Sequence, residues 1–250
     1  MKRLLGCIQV VLCCSVSAQA AEVQVAVAAN FAAPMQKIAD AFAQDTSHKA
    51  LLSFGSTGKF YAQISNGAPF ELLLAADHET PARLEKESLT VTGSRFTYAF
   101  GKLVLWSKKA GFVDHQGEVL RTGKFARIAL ADPKLAPYGF AAIETLTKLG
   151  LLQGLRAKLV QGENIAQAYQ FVATENAQLG FVALSQVFAD GRISTGSAWI
   201  VPADLYSPIQ QDAVVLATAK NNSAASNLAK YLRGERARDI IRSYGYDVGT

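Results

Sequence analysis

Short apolar runs alternate with helix-period segments along nearly the whole chain, and only a few residues join one to the next. "VQVAVAA" (residues 23–29) reads as a buried strand. Phe31, Met35, Ile38 and Phe42 then recur at helical spacing, with Asn30 placed to cap the helix and Pro34 tolerated in its first turn. "ALLSF" is the next strand and residues 59–65 the next helix. "FELLLAA" (70–76) follows, then a helix opened by Thr80 and Pro81. Strand, helix, strand, helix with short joints implies an α/β fold with mostly parallel sheets flanked by helices on both faces.

The same grammar continues. "FTYAFGKLVLWS" (96–107) is longer than one strand needs. "RIALAD" and "QLGFVAL" read as strands, with helices over about 139–149 and 164–174. "SAWIVP" and "SPIQQDAVVLATA" precede two closing helices. With 250 residues, half of them apolar, the chain can bury one large core or two. The long run near residue 100 and the Pro-flanked passage 201–208 are candidate crossings between lobes. The expected division is residues 21–100 plus 207–250 as a discontinuous first lobe and 101–206 as the second, with a ligand cleft at the carboxyl ends of the strands. One continuous α/β domain is the alternative.

Residues 1–20 are set apart. Lys2 and Arg3, an apolar run from Leu4 to about Val16, and Ala18-Gln19-Ala20 make a secretory signal peptide, with cleavage expected near Ala20. Cys7, Cys13 and Cys14 all lie within it, so the exported chain has no thiolate chemistry and no disulfide. A lipid anchor does not fit, because Cys7 follows almost no apolar run. Removing Lys2 and Arg3 takes the 25 basic residues to 23 against 20 acidic ones. These charges are scattered, so the footprint of nucleic-acid binding is missing.

"FGSTGKF" asks whether the chain holds a nucleotide. A phosphate loop needs Gly five residues before the Gly-Lys pair and a hydroxyl after the Lys, where this chain has Ser53 and Phe60. What remains is a strand-to-helix junction at Gly55-Ser56-Thr57-Gly58, whose free N–H groups and helix dipole favour an anion. Helix capping alone would equally explain Ser56 or Thr57. Three further junctions resemble it: "AANFAAP" with Asn30, "ADPKLAPYG" opening a helix at Pro137-Tyr138-Gly139, and "QGENIAQAY" with Asn164 and Ile165. Together they describe an anion trap of dipoles and neutral donors. Tyr138 is expected to face the cleft, while Phe31, Phe60, Phe140, Tyr169 and Phe171 are expected mostly in the core.

Enzyme readings fare poorly. His48, His78 and His115 show no paired ligand spacing, "GFVALS" is no nucleophile elbow, and Asp77 and Asp132 suit turn or cap roles. A secreted α/β hydrolase is a remote alternative.

"VAVAANFAAPMQKIADAF", "SFGSTGKFYAQISNGAPFELLLAAD", "ADPKLAPYG" and "GENIAQAYQFVATENAQLGFVALSQV" resemble the periplasmic molybdate-binding proteins of ABC-type transporters, over essentially the whole exported chain. The resemblance implies a two-lobed periplasmic binding protein fold with hinge strands, closing over molybdate or tungstate held by neutral donors. It implies no cofactor, no direct protein ligand to the metal, no catalysis, a monomer, and an inner-membrane permease as partner. Carried over by position, it assigns the oxyanion to Asn30, the backbone of Ala29, Thr57 with Ser56 beside it, Tyr138 through its N–H and its hydroxyl, and the N–H of Ile165. Ala183 stands where some members carry a ligand Tyr, and Tyr138 is expected to supply that hydroxyl instead. Binding of sulfate or phosphate is the alternative within the same fold.

Overall fold

The computed structural model describes residues 20–189 and 191–249. The signal-peptide expectation and all three cysteines therefore concern residues that lie, Ala20 apart, outside those described.

The first sheet begins with β1 (Glu22–Ala28), β2 (Lys49–Gly55), β3 (Leu72–Leu74) and β4 (Phe96–Gly101). The second holds β5 (Leu103–Ser107), β6 (Ile128–Ala131), β7 (Leu159–Gly162), β8 (Leu179–Ala183) and, after a small hairpin of β9 (Phe188–Ala189) and β10 (Arg192–Ile193), β11 (Ser197–Ile200). The chain then returns to the first sheet as β12 (Ile209–Val215). Strand orders are β2-β1-β3-β12-β4 and β11-β5-β8-β6-β7. The long run near residue 100 breaks at Lys102, so β4 and β5 belong to different sheets.

Each sheet is mixed rather than mostly parallel. β1 pairs in parallel with β2 and β3, and β6 with β7 and β8, through helical crossovers. The strands next to the crossings run the other way: β12 is antiparallel to β3 and β4, and β5 to β8 and β11. A chain that leaves one sheet and re-enters it from the far side has no crossover helix to restore its direction.

Helices cover both faces, which the near-continuous burial of β3, β6 and β8 requires. On one face of the first sheet lie α1 (Ala32–Thr46), α8 (Ser223–Leu232) and α9 (Glu235–Ser243). On the other lie α2 (Thr57–Ser65) and α3 (Glu79–Lys86). The second sheet is covered by α5 (Pro137–Lys148) on one face and α7 (Ile165–Ala173) on the other, with one-turn helices α4 (Val119–Thr122) and α6 (Leu152–Leu155) at its margins. Ala28, Ala29 and Ala76 join the core of the second sheet, so the two lobes pack together at their strand ends.

Phe31 anchors this junction. It is fully buried and packs edge-on against Tyr98 (ring centroids 4.7 Å) and Tyr246 (5.5 Å). Phe31→Ala is expected to cost about 3 to 5 kcal/mol in urea denaturation, with the slope against urea unchanged.

Candidate functional site

Four chain junctions meet in one small pocket between the lobes. β1 delivers Ala29 and Asn30, β2 delivers Ser56 and Thr57, α5 opens with Pro137 and Tyr138, and α7 opens after Asn164 with Ile165. Ala76 closes one wall, and no residue lining the pocket carries a charge. Two junctions come from each sheet, all at carboxyl ends of strands, where backbone N–H groups of the following helical turn have no carbonyl to bond.

Ser56 is the most telling of them. It holds the N-cap position of α2 in extended backbone (φ −83°, ψ 148°), yet its side chain caps nothing. Its Oγ is buried and has no hydrogen-bond partner, the one such side-chain atom among the described residues. A buried hydroxyl left unpaired costs about 1 to 3 kcal/mol, so its retention in the pocket wall points to a ligand. The neighbouring Thr57 Oγ1 accepts the Ala76 N–H at 3.0 Å, which leaves its own proton free to donate. The sequence ranked Thr57 ahead of Ser56, but the structure gives the unmet demand to Ser56.

Backbone donors complete the ring. Among the described residues, the N–H groups of Asn30, Tyr138 and Ile165, each in the first turn of its helix, bond no backbone carbonyl outside their own elements. Asn164 caps α7 through Oδ1, which accepts from Ala166 N (3.0 Å) and Gln167 N (3.1 Å). That cap meets the later amides and leaves the Ile165 N–H over. Gly139 lets α5 start against the end of β6, since a side chain there would collide with the Ala131 carbonyl.

Two expected roles change. Asn30 does not cap α1, whose N-cap is Phe31; it sits in a 3₁₀ turn, Ala29–Phe31. Its Nδ2 donates to Gln211 Oε1 (2.8 Å) and Tyr246 Oη (2.9 Å), and its carbonyl accepts from Ser185 Oγ (2.8 Å). Tyr138 lines the pocket but is 1% exposed, and its hydroxyl accepts from Gln211 Nε2 at 3.2 Å. Gln211 does not line the pocket, so the bond that this hydroxyl accepts comes from behind the pocket wall. Phe140, expected inside, is 53% exposed at the cleft mouth.

Gln211, Tyr98, Tyr246 and Ser185 were not singled out from the sequence. The signal for Gln211 was present, because two glutamines and an aspartate interrupt the otherwise apolar strand "IQQDAVV". Burial pushes Tyr246 up to about 12 and Tyr98 and Tyr138 well above the ordinary tyrosine value, so all three are neutral hydroxyls at physiological pH.

The lobes also touch across the mouth. Gly58 N–H donates to the Leu135 carbonyl at 2.9 Å, and Lys59 meets Glu163 at 2.8 Å. Beside these contacts lies an outer cleft of about 420 Å³ with Asp77 on its wall. Asp77 Oδ1 accepts the Thr80 N–H at 2.8 Å, a turn role, and desolvation raises its carboxyl to about 6 against those bonds. Asp132 likewise accepts the Lys134 N–H. Among the described residues no group of three or more His, Cys, Asp or Glu could hold a bare metal ion.

A family model described as bacterial extracellular solute-binding protein matches residues 23–247. The chain is 61% identical over 232 residues to the molybdate-binding protein ModA of Azotobacter vinelandii, covering 93% of this chain and 92% of that protein. It is 50% identical over 229 residues to the ModA of Rhodobacter capsulatus, covering 92% and 89%. The solved periplasmic molybdate-binding protein of Azotobacter vinelandii superposes with a TM-score of 0.89 at 41% identity, covering 91% of this chain and all of that one.

Asp77 gives a pH signature. Its folded value, about 6, lies above the ordinary 3.8, so the folded chain keeps a proton that the unfolded chain has released between those values. Stability is therefore full below about pH 4 and falls as pH rises through 6. Asp77→Asn is expected to stabilise the protein by about 1 to 2 kcal/mol at pH 7.5, after allowance for partial solvent screening, and to make little difference at pH 4. Thermal unfolding of both proteins across that range checks it.

Proposed function

The chain belongs to the bacterial extracellular solute-binding proteins, and from that premise we propose that it captures molybdate in the interlobe pocket and delivers it to an ABC importer. Tungstate, with the same charge and tetrahedral shape, is taken as well. The observation that carries this reading is the unpartnered Ser56 hydroxyl in a pocket wall built from four chain junctions without a single charge.

A permanent dianion can leave water only where every oxygen meets a donor. Ser56 Oγ, Thr57 Oγ1 and the N–H groups of Asn30, Tyr138 and Ile165 are the donors on offer, with Ala29 in the pocket wall beside them, and three of the junctions end in helix dipoles that favour negative charge. None titrates near neutral pH, so the site keeps its donor character whatever the pH of the compartment. Capture needs no bond to be made or broken, and the protein is a carrier rather than an enzyme.

Lobe I contributes the Ala29–Asn30 and Ser56–Thr57 junctions and lobe II the other two, so neither lobe alone offers a full shell. The anion stabilises the closed arrangement by the contacts that only closure completes. Discrimination against sulfate comes from size, since a smaller tetrahedron stretches bonds from a rigid donor shell, each worth on the order of 1 kcal/mol. The reading also takes residues 1–20 as the export segment, the periplasm as the working compartment, and an inner-membrane permease as the partner that accepts the closed form.

Exhaustively dialysed protein should melt several degrees higher with molybdate or tungstate at a thousand times the dissociation constant, a gain of roughly 4 kcal/mol. Sulfate and phosphate at the same concentration should shift it little. Ser56→Ala should bind molybdate about tenfold to a hundredfold more weakly while the anion-free variant melts no lower than the parent, because the substitution removes an unpaired group. Equal shifts with all four anions would sink the molybdate assignment.

A further inference from the structure

Behind the pocket, the Asn30 and Gln211 carboxamides face each other at the centre of a buried network that spans both lobes. Asn30 Nδ2 donates to Gln211 Oε1 (2.8 Å) and Tyr246 Oη (2.9 Å), Tyr98 Oη also donates to Gln211 Oε1 (2.9 Å), and Gln211 Nε2 donates to Tyr138 Oη (3.2 Å). Asn30 Oδ1 has no partner in the protein and is not sealed among protein atoms; on a residue that lines the pocket, it is the amide atom left for a ligand.

The donor and acceptor inventory allows a second, equally complete arrangement. With both carboxamides reversed, Gln211 Nε2 donates to Asn30 Oδ1 and to Tyr98 Oη. Tyr98, whose single proton lies between Gln211 Oε1 and the Ala75 carbonyl at 2.9 Å from each in the first arrangement, gives it wholly to the carbonyl in the second. Tyr138 donates to Gln211 Oε1, Tyr246 donates to Asn30 Oδ1, and Ser185 Oγ keeps the Asn30 carbonyl. Apart from the Asn30 atom turned to the pocket, the nitrogen and oxygen of each carboxamide have a partner in both arrangements. Reversing one amide alone would set donor against donor, or acceptor against acceptor, across 2.8 Å. The two amides therefore turn together or not at all.

The arrangements differ in what the pocket meets. The first presents the Asn30 oxygen and the second presents its N–H. An oxyanion is repelled by the first and bonded by the second, so binding selects the second. We propose that Gln211 is the positioning residue that holds the Asn30 carboxamide with its N–H toward the bound oxyanion, and that the two amides reverse in concert when the anion enters. Because Tyr138 and Ser185 belong to the second lobe and Asn30, Gln211 and Tyr98 to the first, the reversal reaches across the cleft and ties occupancy to closure. This rests on the oxyanion reading of the pocket.

The test is nuclear magnetic resonance of ¹⁵N-labelled protein titrated with molybdate, following the side-chain amides of Asn30 and Gln211, the latter assigned by its loss in Gln211→Met. The Gln211 amide signals should move in step with those of Asn30 and saturate at the same molybdate concentration. Gln211→Glu, whose carboxylate only accepts and so fixes the Asn30 oxygen toward the pocket, should bind molybdate about a hundredfold more weakly, and Gln211→Met about tenfold. A merely structural Gln211 would lower the melting temperature of the variants and leave their affinity near that of the parent. Should neither variant fold, the titration of the parent decides. Molybdate binding with unmoved Gln211 signals would overturn the concerted reversal and leave the oxyanion site standing. Failure of the parent to bind molybdate at all would overturn both.

Discussion

Everything at the centre of this protein follows from hydrogen-bond donors that the fold leaves unpaid. Helix starts leave N–H groups without carbonyls, and the pocket gathers the starts of α2, α5 and α7 with the 3₁₀ turn after β1. Ser56 adds a buried hydroxyl with nothing to bond. In an ordinary core these groups would be capped, as Asn164 caps the later amides of α7, or they would be bonded to water. Here they converge on one volume, and the proposed anion would supply the acceptors they lack.

That arrangement dictates the lobed architecture. A single sheet could bring two such junctions together at adjacent strand ends, but a tetrahedral anion needs donors from all sides. Two sheets facing each other at their carboxyl ends supply them, and the chain crosses twice to join those sheets, at Lys102 and between β11 and β12. The crossings make both sheets mixed. They also carry Gln211 on β12 to a place directly behind Asn30, where neutral tyrosines surround both amides. Gly58 against Leu135 and Lys59 against Glu163 join the lobes at the mouth, but the salt bridge is exposed and adds little. The polar network behind the pocket and the apolar contact of Ala28, Ala29 and Ala76 with the second core are the stronger links.

Much of this was legible in the sequence because its signals are local. Period-2 and period-3.6 patterns mark the strands and helices, and Asn, Ser, Pro and Gly mark the junctions where the pocket forms. What the sequence hid is non-local. Asn30 reads as a helix cap until its partners, Gln211 and Tyr246, arrive from 181 and 216 residues further along. Tyr138 beside Pro and Gly suggests a cleft-facing ring, yet its hydroxyl finds Gln211 and the ring is buried, while Phe140 two residues on takes the exposed position. The antiparallel strands of each sheet were equally hidden, since direction depends on where a returning chain enters.

In the proposed function, neutral, non-titrating groups from both lobes hold the dianion. Calorimetric titration of dialysed protein with molybdate at pH 8, in two buffers of very different ionisation enthalpy, tests it most directly. One anion per chain and the same heat in both buffers are expected, hence no net exchange of protons on binding. A buffer-dependent heat amounting to about one proton taken up per anion would contradict it, because a lysine, histidine or carboxyl group would then be doing the holding.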